Sequence, residues 1–150
     1  MATDQQYCTF YLEDLYFGIE VLQVQEVIRA QAMTRVPLAH PAITGLINLR
    51  GQIVEAIDLR RRLALPPRPD SRPPMNVVVR TDDGAVSLLV DEIGDVLSVE
   101  EAVFEAPPET LAAAARELIS GVYKLSDRLL LILDTSRVLH LQGAGTEDGR

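Results

Sequence analysis

The stretch that decides the fold is Gly45–Leu63, with the sequence GLINLRGQIVEAIDLRRRL. Two apolar runs, 47–49 and 52–57, flank Arg50-Gly51, and this pattern is typical of two strands joined by a tight turn. Asp58 follows the second run, where its carboxylate can accept hydrogen bonds from the free N–H groups at a helix start. The stretch therefore predicts strand, turn, strand and capped helix.

The same pattern recurs later in the chain. Placed over Gly121–Leu139, the stretch aligns without a gap, so that Gly45 meets Gly121 and Asp58 meets Asp134. A weaker match aligns 17–28 with 86–97 and places Glu26 on Asp95. Many short strands separated by turns are typical of small barrels or sandwiches. The repeat therefore predicts two similar barrel lobes packed together.

The two repeated turns differ in charge. The first contains Arg50-Gly51, whereas the second is Ser126-Asp127. Positions that recur are the ones that the fold needs, so an arginine at one tip and not the other indicates contact with a partner.

Outside the repeat, the remaining patterns predict further short elements. The stretch 21–28 fits either a short helix or a strand, and Pro41 suits the first turn of a short helix over 41–46. The proline-rich segment 65–74 is interpreted as a connector. Residues 1–5 and 143–150 are expected to be flexible termini. The other predicted elements are hairpins over 7–12 with 15–21, 75–81 with 85–90 and 119–125 with 128–133, a strand over 93–99 and a helix over 109–118.

Composition excludes several classes of function. The chain has 150 residues and a formal net charge of -8, so it lacks the positive field that attracts nucleic acid. No apolar run reaches the roughly 18 residues that span a bilayer, and the N-terminus does not resemble a signal peptide. Cys8 is the only cysteine, which excludes an intrachain disulfide and predicts a buried structural thiol. These features together favour the cytoplasm.

The sequence shows no catalytic or metal-binding motif. His40 and His140 are isolated, and nucleotide-binding glycine loops and serine nucleophile elbows are missing. Arg60–Arg62 is interpreted as a solvated helix face, with a docking patch for an acidic partner as the alternative. The acidic residues at 91, 92 and 95 lack the pattern of a calcium loop and are interpreted as solvated strand ends. We therefore predict no enzyme activity, no metal and no cofactor.

Four blocks occur in a fixed order: FGIEVLQVQEVI (17–28), ITGLINLRGQIVEAIDLRRRL (43–63), SLLVDEIGDVLSVE (87–100) and LISGVYKLSDRLLLILDTSRVL (118–139). Together they resemble the CheW family of chemotaxis coupling proteins over residues 6–141. The resemblance implies one mainly β domain of two five-stranded SH3-like barrel lobes with a few short helices. It also implies a non-catalytic cytoplasmic adaptor, recruited to membrane-associated arrays, that links chemoreceptor tips to the histidine kinase CheA.

The resemblance also implies which residues contact each partner. A receptor tip is a helical hairpin, and an apolar groove between the lobes with a hydrogen-bonding group beside it suits such a partner. The matching receptor-binding positions are Arg50, Asn48, Val24, Val27 and Val96, and the kinase-binding positions are Glu26 and Gly45. The valines are equally consistent with core packing, and Gly45 with backbone geometry alone.

Two positions depart from the family pattern: Glu55 stands in place of a frequent proline, and Ser87 in place of a frequent glycine. Both residues are tolerable in strands, so the fold is expected to be unchanged, and the effect on local partner surfaces is left open. The sequence leaves two other functions open. One is a coupling protein for pili, surface motility or second-messenger control. The other is a small-molecule-binding or enzymatic β-barrel, although no convergent polar constellation supports it.

Overall fold

The computed structural model describes residues 6–29, 31–37, 40–69, 72–82, 84–99 and 103–141. The expected flexible termini lie outside these residues. The elements in chain order are β1 Gln6–Leu12, β2 Leu15–Glu20, a 3-10 turn Val21–Gln23, β3 Val24–Ile28, β4 Ile43–Leu49, β5 Gln52–Asp58, α1 Leu59–Arg62, β6 Met75–Thr81, β7 Gly84–Val90, β8 Glu92–Ser98, β9 Val103–Glu105, α2 Ala113–Leu118, β10 Ile119–Lys124, β11 Leu129–Leu133 and α3 Thr135–Leu139.

The strands form two sheets, which confirms the mainly β fold class. One sheet has the order β8-β1-β2-β11-β10-β9, and the other has the order β3-β6-β7-β5-β4. The six-stranded sheet contains β9, a short exposed strand that the sequence analysis did not predict. We call the two sheets with their helices the six-stranded lobe and the five-stranded lobe.

Each lobe takes strands from both halves of the chain. Strand β5 pairs in parallel with β7, and strand β11 pairs in parallel with β2. The strand that follows each first hairpin crosses to the other sheet, so that β3 pairs with β6 and β8 pairs with β1. Both halves of the repeat therefore contribute strands to each lobe. The five-stranded lobe is built from the consecutive strands β3 to β7, whereas the six-stranded lobe combines β1 and β2 with β8 to β11.

Three apolar clusters follow from this arrangement. The largest contains buried residues of both sheets, among them Phe10, Phe17, Ile57 and Leu88, and therefore lies between the lobes. A smaller cluster belongs to each sheet. The two smaller clusters contain residues from equivalent positions of the repeat: Val54 corresponds to Leu130, and Ala56 corresponds to Ile132. The repeat thus places matching residues in matching cores around one shared core.

The predicted helix caps are present. Asp58 accepts a hydrogen bond from the Arg60 N–H at 3.0 Å, and Asp134 accepts one from the Arg137 N–H at 3.3 Å. In both places the carboxylate satisfies a backbone donor that the first helical turn leaves free.

Four local predictions were wrong or incomplete. The short helix at Pro41 does not form, because Ile43–Leu49 pairs along its length with β5. The alanine-rich helix begins at Ala113 rather than at residue 109. The ambiguous stretch 21–28 divides into a 3-10 turn and a strand. Cys8 is half-buried rather than buried, although burial still raises the pKa of its thiol.

The interpretation of two charged clusters as solvated was wrong for Arg60 and Asp91, whereas Arg61, Glu92 and Asp95 are exposed as expected. Arg60 is only 4% exposed and Asp91 only 3%. The Arg60 guanidinium donates to both Asp91 carboxylate oxygens, from Nε at 3.0 Å and from Nη2 at 2.5 Å. Arg62 donates to the carbonyl oxygens of Arg137, Val138 and His140 at the end of α3, where a cation is favourable. These arginines therefore hold elements together.

Asp91 makes stability depend on pH. Burial opposes its ionisation, but hydrogen bonds from Arg60, the Glu13 N–H and Arg68 outweigh that effect and lower its pKa. A carboxyl with a lowered pKa in the folded state stabilises the fold above its unfolded pKa of about 3.9. This contribution is lost as the pH falls from about 5 towards the folded-state pKa.

We expect Asp91→Asn to lower the free energy of unfolding at pH 7 by about 3 kcal/mol, because it removes the buried carboxylate that is hydrogen-bonded to both Arg60 and Arg68. Urea unfolding of both proteins between about pH 7 and pH 3 should show this difference shrinking below about pH 4. Glu13 and Asp58 also lie near these arginines. Both residues are present in the wild type and in the variant, so their titration does not account for a change in the difference between the two proteins. A difference that stays constant down to pH 3 would contradict the assignment.

Ser87, one of the departures from the family pattern, is buried between strands β6 and β7. Its hydroxyl accepts a hydrogen bond from the Asn76 side-chain Nδ2 at 2.7 Å. Asn76 is itself buried, and its Oδ1 lacks a hydrogen-bond partner among the described residues. Ser87 therefore serves the interior of this lobe rather than a partner surface.

We expect Ser87→Ala to lower the free energy of unfolding by about 1–3 kcal/mol, because it leaves a buried donor of Asn76 unsatisfied. Urea denaturation measures the change. Ser98→Ala, at an exposed serine of β8, is the control and should change stability little. Equal effects of the two substitutions would show that the Asn76–Ser87 bond contributes nothing.

Candidate functional site

The turn between β4 and β5 projects Arg50 from the end of the five-stranded lobe. Arg50 has φ 54° and Gly51 has φ 89°, so both residues adopt the left-handed conformation of a tight hairpin turn. The Gly51 N–H donates to Asn48 Oδ1 at 2.8 Å. Asn48 therefore holds the turn, and the Arg50 side chain is 70% exposed beyond it.

Arg50 is held in place by Glu26. Its Nη1 donates to Glu26 Oε2 at 2.6 Å, and its Nη2 donates to Oε1 at 2.5 Å. Such a paired geometry fixes the direction of the guanidinium as well as its distance. The hydrogen bond from Arg50 lowers the pKa of Glu26. Both groups are therefore charged at neutral pH.

The pair also reveals the curvature of the sheet. Glu26 lies on β3 and Arg50 follows β4, and these two strands are at opposite ends of the strand order. A direct contact between them requires the sheet to curl so that its edges approach each other. The ion pair thus joins the two edges of the five-stranded lobe.

The three candidate valines lie in different surroundings. Val24 is half-buried and packs against the shared core. Val27 is 37% exposed on β3, the edge strand of one sheet, and Val96 is 58% exposed on β8, the edge strand of the other. In the weaker repeat, residues 27 and 96 are equivalent positions. Val24 therefore contributes to packing, while Val27 and Val96 lie exposed on matching sheet edges.

Gly45 is buried and has no side chain to offer to a partner. A Cβ at this position would lie 2.7 Å from the Thr34 carbonyl oxygen. That oxygen accepts a hydrogen bond from the Leu46 N–H at 2.8 Å, and the Thr34 N–H donates to the Leu46 carbonyl at 2.9 Å. The glycine lets the segment around Thr34 lie alongside β4 at close range, where Thr34 forms an antiparallel bridge with Leu46, so the effect of Gly45 on any partner is through local shape.

We expect Gly45→Ala to lower the free energy of unfolding by about 1–3 kcal/mol, since the added methyl group displaces backbone that is hydrogen-bonded to β4. Chemical denaturation with amide chemical shifts around Thr34 measures this. Thr44→Ala, at the exposed neighbouring position, is the matched control. Unchanged stability and unchanged Thr34 shifts would contradict the packing argument.

A second arginine-bearing tip was missed by the sequence analysis. Arg128 lies two residues after Ser126, with its guanidinium 4.8 Å from the centre of the Tyr16 ring, and its Nη1 donates to the Tyr11 hydroxyl at 2.8 Å. The expectation that one tip carries an arginine and the other does not was therefore wrong. The two tips differ in chemistry: Arg50 pairs with the carboxylate of a distant strand, whereas Arg128 pairs with the neighbouring Asp127 at 3.3 Å and stacks on an aromatic ring.

Within the described ranges, no group of three or more His, Cys, Asp or Glu side chains is arranged to hold a metal ion. His40 accepts a hydrogen bond through Nδ1 from the Ala42 N–H at 3.0 Å. Among the helices of the described part of the chain, none has the length and apolar character needed to cross a membrane.

Two β lobes pack around a shared core and present charged tips and apolar sheet edges at the surface. The CheW-like domain model matches residues 6–143. The chain is 35% identical to chemotaxis protein CheW of Bacillus subtilis, over 93% of this chain and 89% of that protein. It is 31% identical to chemotaxis protein CheW of Klebsiella aerogenes, over 90% of this chain and 81% of that protein.

A solved structure agrees with these similarities. The crystal structure of scaffolding protein TtCheW from Thermoanaerobacter tengcongensis superimposes with a TM-score of 0.82 and 25% identity, over 95% of this chain and 92% of that one. The chain belongs to the CheW family.

Proposed function

We propose that this protein is a non-catalytic adaptor that couples chemoreceptors to a CheA-type histidine kinase in a chemotaxis signalling array. The observation that carries the proposal is the exposed Arg50, held by Glu26 at the end of a CheW-family lobe. It needs no cofactor for this role. It works in the cytoplasm and is recruited to membrane-associated receptor arrays.

The receptor contact uses apolar and hydrogen-bonding groups together. Val27 and Val96 offer exposed apolar surface on the edge strands of the two lobes. Arg50, positioned by the turn that Asn48 stabilises, offers a forked donor to carboxylates or to free carbonyl oxygens of a helical hairpin. Val24 contributes by supporting β3 from the shared core.

The kinase contact lies in the five-stranded lobe, at Glu26 and at the surface shaped by Gly45. Because Glu26 and Arg50 form one ion pair, a partner that binds one of these two side chains leaves the other side chain free to bind elsewhere. This link is a physical route by which receptor and kinase binding are coupled. The relatives named above are chemotaxis proteins, and this favours a chemotactic output over the non-flagellar alternative.

Arg50→Glu is expected to weaken binding of a receptor cytoplasmic fragment at least about tenfold, because it places two carboxylates where an ion pair stood. Calorimetric titration of the purified protein with receptor and kinase regulatory fragments measures both affinities. Arg80→Glu, with the same charge change at an exposed residue of β6, is the control.

The double variant with Glu26→Arg and Arg50→Glu restores the ion pair with reversed charge. If it stays folded but does not recover receptor binding, the identity of the arginine is needed for contact as well as for the pair. Unchanged receptor affinity in Arg50→Glu would overturn the assignment of Arg50. Failure of the wild-type protein to bind either fragment at micromolar concentration would overturn the proposed function.

A further inference from the structure

We propose that Asp91 is a positioning residue that fixes the orientation of the two lobes and so the spacing between the receptor-contact edges β3 and β8. The inference rests on the proposed function, because it concerns the surface on which Val27 and Val96 lie. It assigns a role in partner recognition to a buried group that touches no partner.

Asp91 is the centre of a buried charge cluster. Its Oδ1 accepts from Arg60 Nε and from Arg68 Nε, both at 3.0 Å. Its Oδ2 accepts from Arg60 Nη2 at 2.5 Å and from the Glu13 N–H at 2.8 Å. One carboxylate thus receives four hydrogen bonds from three separate parts of the chain.

Each of these donors belongs to a different part of the fold. Arg60 lies on α1 of the five-stranded lobe, and Glu13 lies in the β1–β2 turn of the six-stranded lobe. Arg68 lies in the proline-rich connector, whose Pro66 carbonyl also accepts from Arg60 Nη1 at 2.9 Å. Asp91 itself is the residue between β7 and β8, where the chain passes from one sheet to the other. The cluster therefore ties both lobes to the start of β8.

The chain also passes from one sheet to the other between β2 and β3, at the equivalent position of the repeat. No buried charge cluster is found there among the described contacts. In the weaker repeat, Asp91 aligns with Leu22, which lies in the 3-10 turn between β2 and β3 and is 85% exposed. Gln23, beside it, accepts one hydrogen bond from the Thr135 hydroxyl at 3.1 Å. One crossover is thus clamped by buried charge, and the other is joined to α3 by a neutral contact. The repeat explains the architecture but not this asymmetry.

The asymmetry points to orientation rather than to stability. Burying two opposite charges requires desolvation, and apolar residues of similar size often stabilise a protein as well or better. Two parallel hydrogen bonds from one guanidinium also fix its orientation relative to the carboxylate. The Arg60–Asp91 pair therefore fixes the orientation of β8 relative to α1. It thereby also fixes the sheet edge that carries Val96 relative to the lobe that carries Val27.

The test uses Arg68→Gln and Asp91→Asn in the full chain. Arg68→Gln is the milder variant, because Asp91 keeps its two bonds to Arg60. The matched control is Arg72→Gln, which removes the exposed ion pair between Arg72 and Glu92 from the same region. Residual dipolar couplings report the relative orientation of the two lobes, and calorimetry reports the affinity for receptor and kinase fragments.

We expect both variants to change the couplings of one lobe relative to the other and to weaken receptor-fragment binding about tenfold. Kinase-fragment binding should stay within about twofold, because Glu26 and Gly45 lie in the same lobe. A merely structural role would weaken both affinities in proportion to the loss of folded protein. Arg72→Gln should change neither the couplings nor the affinities.

Unchanged lobe orientation in a folded Arg68→Gln and Asp91→Asn protein would overturn the inference, as would parallel loss of both affinities. Neither result would affect the proposed function, which depends on binding by the wild-type protein. If the wild type binds neither fragment, the proposed function fails first, while the couplings still report whether Asp91 orients the lobes.

Discussion

The structure depends on the exchange of strands between the two halves of the chain. Strands β5 and β11 each pair in parallel with a strand of the other half, and β3 and β8 do the same in antiparallel register. Because of this exchange, neither half can complete a sheet alone. The largest apolar cluster lies between the sheets and is buried only when both are complete. The two lobes are therefore expected to fold together, as one cooperative unit.

This constraint also determines where function can lie. The exchange needs both crossovers and a buried interface, and the turn at each lobe end and the outer edges of the sheets remain at the surface. Arg50 and Arg128 occupy the two ends with different chemistry. Val27 and Val96 occupy matching edges. A repeated fold thus presents two non-identical sets of contacts, which suits a protein that must distinguish two kinds of partner.

Much of this could be predicted from the sequence, because the information is local. The hairpins around Arg50-Gly51 and Ser126-Asp127 and the caps at Asp58 and Asp134 depend on residues a few positions apart. The burial of Arg60 and Asp91 could not be predicted, since the two residues are 31 positions apart and each alone has the composition of a solvated surface. Strand exchange was missed for a related reason: a repeat shows that two segments are alike, but not which segments pair.

The candidate site shows the same difference between features set by neighbouring residues and features that depend on distant ones. The exposure of Arg50 follows from its place in a tight turn, which the sequence analysis recognised. Its bond to Glu26 depends on the curling of a sheet whose edge strands are far apart in strand order. The assignment of these two residues to separate partners came from resemblance, and the geometry joins them into one group. The physical account of coupling therefore centres on this pair rather than on either residue alone.

The most direct test of the central claim is the autophosphorylation rate of a CheA-type kinase mixed with receptor-containing nanodiscs, measured with and without this protein. If the protein is the coupling adaptor, the kinase rate should respond to the receptors and their ligands when the protein is present and should be independent of them when it is absent. An identical response in its presence and absence, or no response in either case with a kinase and receptors shown to be competent with another adaptor, would contradict the account.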